Sequence, residues 1–221
     1  MAHCGDSLAG QFTWTLTLTD LLSGWTENRS CLSKKAENIK DAIEDIENGL
    51  PIKLIGFSSD NGSEFLNEIL YNYLISKRRT PVEVTRGRPY KKNDNAHVEQ
   101  KNFTHVRNVF GYERIEGIKL MNLMNEIYIE CWNPLKNYYS PCLKLKKKER
   151  IGSKIKKIYD KPKTPYQRLL ESGQLTMKQE EVLKDRKSKL NPFTLQKKLN
   201  EKLKEFYKIL DSSRVVSKMM A

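Results

Sequence analysis

Residues 11–19, Gln-Phe-Thr-Trp-Thr-Leu-Thr-Leu-Thr, alternate apolar side chains with threonine. That period of two predicts a half-buried strand, because successive strand side chains point to opposite faces. Ser23-Gly24 turns the chain, and Trp25 to about Cys31 completes a hairpin. Ser33 then stands where a helix cap is expected. The stripe Ala36, Ile39, Ala42, Ile43 and Ile46 carries that helix to about Asn48. Pro51 to Phe57 reads as a short apolar strand, Ser58 to Gly62 breaks it, and a helix follows at about 63–77.

Val82 to Thr85 predicts one more strand. The polar run 86–95, rich in turn formers, predicts a loop. Ala96 to Phe110 is helical by composition, with Gly111 as its stop, and another helix covers about 115–132. Strands first and then alternating strand and helix describe an α/β fold, a mixed sheet with helices on its faces. We divide the chain into a core domain over 1–133, a basic linker over 134–163 with a short strand at 153–159, and a helical C-terminal region over 164–221. Its helices begin at Thr164-Pro165, Thr176 and Asn191-Pro192, the last running to about Leu210, and together they suggest a small three-helix unit.

Charge sharpens this division. The net charge is +13, yet residues 1–112 hold 14 basic and 14 acidic side chains, whereas 113–221 hold 26 and 13. Segment 136–163 alone has 11 basic residues against Glu149 and Asp160. Such a density neutralises phosphates and releases their counterions, and the interleaved Tyr138, Tyr139 and Tyr159 offer rings for stacking on bases. No run of about 18 apolar residues suggests a membrane span, and no leader pattern is evident, so the expected location is cytoplasmic and nucleoid-associated. Cys4, Cys31, Cys131 and Cys142 form no C-x-x-C pair and are read as free thiols. His3-Cys4 has no second pair at zinc-ligand spacing.

Two carboxylates stand out. Asp60 ends a predicted strand and is followed by Asn61-Gly62. Glu99 lies 39 positions later near the start of a helix, with Asn95 and Asn102 on its face. Acids held on two separate rigid elements suit a site for paired divalent ions, although two acids fall one short of the usual set.

Several separate stretches resemble one family. Ala2-His3-Cys4-Gly5, Thr17 to Asp20 with Ser23 to Glu27, Phe57 to Phe65, Arg88 to Asn102, and Tyr159-Asp160 with Thr164 to Leu170 are similar to the integrase catalytic core of bacterial insertion-sequence transposases of the DDE type. The resemblance implies a ribonuclease-H-like fold, with Asp60 and Glu99 as the second and third acids of a triad holding two Mg²⁺ or Mn²⁺ ions. It further implies Asn61, Arg88, Tyr90, Lys91, Lys92, Asn95, Lys101 and Asn102 as contacts to DNA, with transposon ends and target DNA as partners and a homo-oligomer on that DNA.

In that family the first aspartate stands a few residues before Ala-His-Cys-Gly, where this chain has Met1. Asp6 falls after the motif in a loop, and Asp20 belongs to the hairpin. The expectation is therefore a core without its first strand, impaired in metal-dependent phosphodiester hydrolysis and strand transfer. The rival expectation is a non-enzymatic DNA-binding relic that interferes with the full-length enzyme. A basic RNA-associated protein is a third, which leaves the acidic motifs unexplained.

Overall fold

The computed structural model describes residues 1–59, 62, 64, 65, 67–87 and 96–219. They form a mixed α/β architecture of helices around three two-stranded sheets. Strand β1 (Trp14–Thr19) pairs antiparallel with β2 (Thr26–Cys31), in register from Trp14↔Cys31 to Thr19↔Thr26. Asp20 sets the turn by accepting from the backbone N–H of Ser23 at 2.7 Å, the structural role expected of it.

The hairpin's threonine face was expected to meet solvent and does not. Thr15 and Thr17 are buried, and their hydroxyls are paired. Thr15 Oγ1 lies 2.8 Å from His3 Nε2 and 3.2 Å from Ser30 Oγ, while Asn28 Nδ2 donates to Thr17 Oγ1 at 2.8 Å. A second layer covers this face, and buried hydroxyls are tolerated there because they are hydrogen-bonded. Residues 1–4 run along the edge of β1 opposite β2, with Met1 N–H to Thr15 O at 2.7 Å and His3 N–H to Thr13 O at 3.0 Å.

Helix α1 (Ala36–Gly49) buries Ile39, Ala42, Ile43 and Ile46 as the stripe predicted. Its cap differs: Lys35 precedes it without a side-chain cap, and Ser33 Oγ accepts instead from Lys35 N–H and Asn38 Nδ2. Strand β3 (Gly56–Ser59) begins five residues later than Pro51, because pairing starts only where Glu83 N–H meets Ile55 O at 3.0 Å. It lies parallel to β4 (Glu83–Arg86), which requires a crossover. Helix α2 (Glu68–Tyr71), capped by Asn67 and extended by a π-helical turn over Asn72–Ser76, provides it. Leu16, Ile43, Phe57, Leu70, Leu74 and Val82 share one core between these elements.

Helix α3 (Ala96–Lys101) continues through a π-helical stretch (Asn102–Arg107) into α4 (Asn108–Phe110), and Gly111 at φ 69° ends it as expected. The next helical run comprises α5 (Ile118–Glu126), a π-helical stretch (Ile127–Trp132) and α6 (Asn133–Tyr139). Segment 134–163 is thus no extended linker. After α6 it holds an antiparallel ribbon of β5 (Leu145–Ile151) and β6 (Lys154–Tyr159), of which the sequence announced only the second strand. Its lysines hid the first, since both faces of the ribbon are exposed and no apolar alternation was needed.

Helices α7 (Pro165–Glu171) and α8 (Met177–Ser188) each start with a capping box, Thr164 with Gln167 and Thr176 with Gln179. Helix α9 spans Pro192–Met219, well past Leu210. These helices make no separate three-helix unit. Tyr166, Leu169 and Leu183 pack with Trp25 and Tyr138, whereas Leu199, Phe206 and Leu210 pack with Phe110, Met124 and Tyr128. The apolar faces were legible in sequence, but their partners lie at least 28 residues away in the chain. Among the described residues no helix is long and apolar enough to cross a membrane.

Candidate functional site

Ser59, the last residue of β3, directly precedes Asp60 and accepts from Gly87 N–H at 2.8 Å. Asp60, Asn61, Arg88, Tyr90, Lys91, Lys92 and Asn95 all lie outside the described residues. Glu99 is exposed on α3, and that helix lies against β1. Asp6 sits exposed in a turn closed by Ser7 N–H donating to Cys4 O at 3.3 Å, outside any strand. Among the described residues no group of three or more His, Cys, Asp or Glu side chains gathers where an ion could be held. Glu99 offers a solvent-facing oxygen donor of the hard type that Mg²⁺ and Mn²⁺ prefer, and Asp60, expected to share the ions with it, lies outside the described residues.

The Ala2-His3-Cys4-Gly5 motif is a structural knot. His3 is fully buried, its ring edge-on to Phe110 at 6.4 Å, and burial, then Arg107 and the N-terminal charge, hold its pKa down at about 3. The Nε2 of this imidazole is engaged with Thr15 Oγ1. Gly5 has φ 58°, and a Cβ there would sit 3.0 Å from Arg114 Cβ. All four cysteines are free thiols, as read from their spacing.

Of the two residues expected at DNA here, Lys101 is half-buried, and Asn102 has its Oδ1 buried without a hydrogen-bond partner. Two residues along a helix are separated by about 200°, so Lys101 faces the interior while Glu99 faces water. Lys101 Nζ lies 3.4 Å from His105 Nε2, and Lys136 Nζ stands 4.4 Å from the Trp132 ring centroid. Burial depresses the pKa of both amines; for Lys101 the charge of Lys136 adds to it. His105, 4% exposed, is pushed down to about 3 by burial and then by Lys101 and Lys136. The sequence reading missed His105, Trp132 and Lys136. The pairs Lys101/His105 and Trp132/Lys136, each at i,i+4, were the available signal.

The basic ribbon is exposed, but not all its tyrosines are. Tyr138 is buried against Trp25 and Tyr166, at 5.1 and 5.4 Å between ring centroids, and Tyr139 O–H donates to Leu190 O at 2.7 Å. Both are structural, correcting their reading as stacking platforms. Tyr159 remains 48% exposed. Lys148 stands directly across from Lys157 and Arg150 from Ile155 on one face, while Lys147 is paired with Glu149 at 3.0 Å on the other.

No known family's sequence profile matches the chain. It is similar to an uncharacterized protein, y4rM, of Sinorhizobium fredii (strain NBRC 101917 / NGR234), with 36% identity over 168 residues, or 76% of this chain. The matched stretch covers 47% of that relative, so the chain spans about half the length of the curated protein it matches.

Proposed function

We propose that this chain is the core and C-terminal part of a DDE-type transposase with a ribonuclease-H-like fold, which joins DNA by metal-dependent phosphodiester hydrolysis and strand transfer. The observation that carries the reading is the position of Asp60, immediately after the last residue of β3, a strand paired in parallel with β4. In open α/β sheets, ligands gather beyond the carboxyl ends of such strands. The exposed Glu99 on a helix lying against β1 offers a second acid from a separate element.

Asp60 and Glu99 would hold the divalent ions, which when bound supply Lewis acidity toward the attacking oxygen and the phosphate. Arg88, Lys91 and Lys92 hold backbone phosphates without reading sequence, and Asn61, Tyr90 and Asn95 position the strand beside the acids. This assignment takes DNA ends and target as substrates and a homo-oligomer as the working form.

A Mn²⁺ titration followed by amide NMR tests it. Resonances flanking Asp60 and Glu99 broaden together at one Mn²⁺ concentration, and Asp60→Asn or Glu99→Gln abolishes the broadening at both places. Broadening near only one acid, or near neither, overturns the shared site. In the longer protein, the same substitutions abolish strand transfer.

A non-enzymatic DNA-binding product is the second reading, favoured by the ribbon. Lys148 and Lys157 face each other with no acid on their side, a repulsion that a polyanion relieves. DNA binding that is unchanged by Asp60→Asn, with no strand transfer in the longer protein, selects this reading.

A further inference from the structure

We propose that Lys101, His105, Trp132 and Lys136 form a binding site for one phosphate-like oxyanion, on the side of α3 turned away from Glu99. This site does not depend on the metal assignment, because it shares no residue with Asp60 or Glu99.

The donors come first. With Lys101 Nζ donating to His105 Nε2 at 3.4 Å, the imidazole proton resides on Nδ1, which is buried without a hydrogen-bond partner. Trp132 Nε1–H is likewise buried and unpartnered, and the two rings meet edge to face at 6.0 Å. Unpartnered donors in a native interior call for an acceptor, since leaving each unmet carries a desolvation penalty.

Charge identifies the acceptor. Lys101 and Lys136 both act on His105, and among the described residues neither lysine has a carboxylate in ion-pair contact. The Cys142 thiol is the one titratable group that favours the charged form of Lys101. A neutral acceptor such as water would leave two half-buried ammonium groups uncompensated, whereas an oxyanion held by the buried N–H groups lowers the electrostatic cost of both. Lys101 and Lys136 are each only partly buried. The local backbone fits the same view. Both contributing helices carry π-helical stretches here, Asn102–Arg107 and Ile127–Trp132, an irregularity concentrated at functional sites.

The anion's source is either a nucleic-acid backbone phosphate or free phosphate, and one experiment separates them. The full chain, with its tryptophan indoles labelled in nitrogen-15, is titrated in turn with inorganic phosphate and with a short DNA duplex. Trp132→Phe assigns the Trp132 indole N–H signal. Phosphate is expected to shift that signal saturably while the Trp14 and Trp25 signals stay still. Lys101→Gln and Lys136→Gln each weaken the midpoint by about tenfold, the loss of one charge-assisted contact, with amide spectra confirming that the variants stay folded. Glu99→Gln leaves the phosphate response intact, so failure of the metal site and failure of this one are distinguishable. The same Trp132 shift at far lower concentrations of duplex assigns the site to a DNA phosphate; a shift with phosphate alone assigns it to the free anion. No Trp132 response to either, or a response undiminished in both lysine variants, overturns the proposal.

Discussion

The side-chain amide of Asn137 pairs with both backbone groups of Thr26, accepting its N–H and donating to its carbonyl at 2.9 Å each, across 111 residues. Asn125 does the same for Ser30, at 2.6 and 2.9 Å. Two asparagines on α5 and α6 therefore stand in for the next strand along the outer edge of β2. An unpaired edge would be a template for another chain, and here helices close it.

Asn137→Ala removes this substitute and leaves the Thr26 amide and carbonyl buried without partners. The expected loss is about 1–3 kcal/mol for each group left unmet, read from urea denaturation. A loss below about 0.5 kcal/mol, the range of ordinary surface substitutions, would show that water replaces the amide freely.

Glu27 joins the same interface, accepting from Trp25 Nε1 at 2.9 Å and from Asn133 Nδ2 at 2.8 Å. Burial pushes its pKa above the ordinary 4.5, with Arg29 and these donors pulling the other way. A carboxyl group raised on folding favours the protonated native state, so stability falls as pH rises from 4.5 through the folded value. Glu27→Gln is expected to flatten that fall, and urea midpoints measured from pH 4.5 to 7.5 check it. An unchanged slope would assign the pH dependence elsewhere.

Asp160 ties the base of the ribbon to α7 through Arg168 Nη1 and Nη2, and it accepts the Lys144 backbone N–H at 2.7 Å. The Arg168 hydrogen bond and then the Lys144 one hold its pKa down at about 2 from the ordinary 3.8. The stabilisation is present above 3.8 and is lost as pH falls toward 2. Asp160→Asn lowers stability at neutral pH and removes the part of the acid loss that belongs to this window. Amide exchange in β5 and β6 locates the effect. Equal acid sensitivity in both proteins would exclude Asp160 as its origin.

Lys148, Arg150 and Lys157 form one face of the ribbon. If that face meets phosphates, replacing each by Ala lowers the slope of log affinity for duplex DNA against log salt by about 0.9. Lys147, already paired with Glu149, changes it less. Slopes unchanged in the triple variant would remove the ribbon from the DNA interface.

Periodicity alone delivered most of the helices and strands. The α1 stripe, the hairpin, the stop at Gly111 and the caps at Thr164 and Thr176 are local, and local chemistry decides them. Strand β5 escaped because its side chains are solvent-exposed on both faces and carry no burial signal. Of the expected site residues, Glu99 is exposed on its helix, whereas Lys101 is half-buried beside His105, a consequence of helical phase and of what packs behind it.

By itself, the order of residues determined which segments fold and which side chains each would hide, since backbone propensity and apolar spacing act within a few residues. Only the tertiary structure decided which hidden faces meet. It covered the threonine side of β1, placed Tyr138 in the core, closed the β2 edge with Asn125 and Asn137, and gathered Lys101, His105, Trp132 and Lys136. Each of these pairings joins elements that helical or strand period cannot relate, because desolvation and hydrogen-bond satisfaction are settled by the whole packed chain.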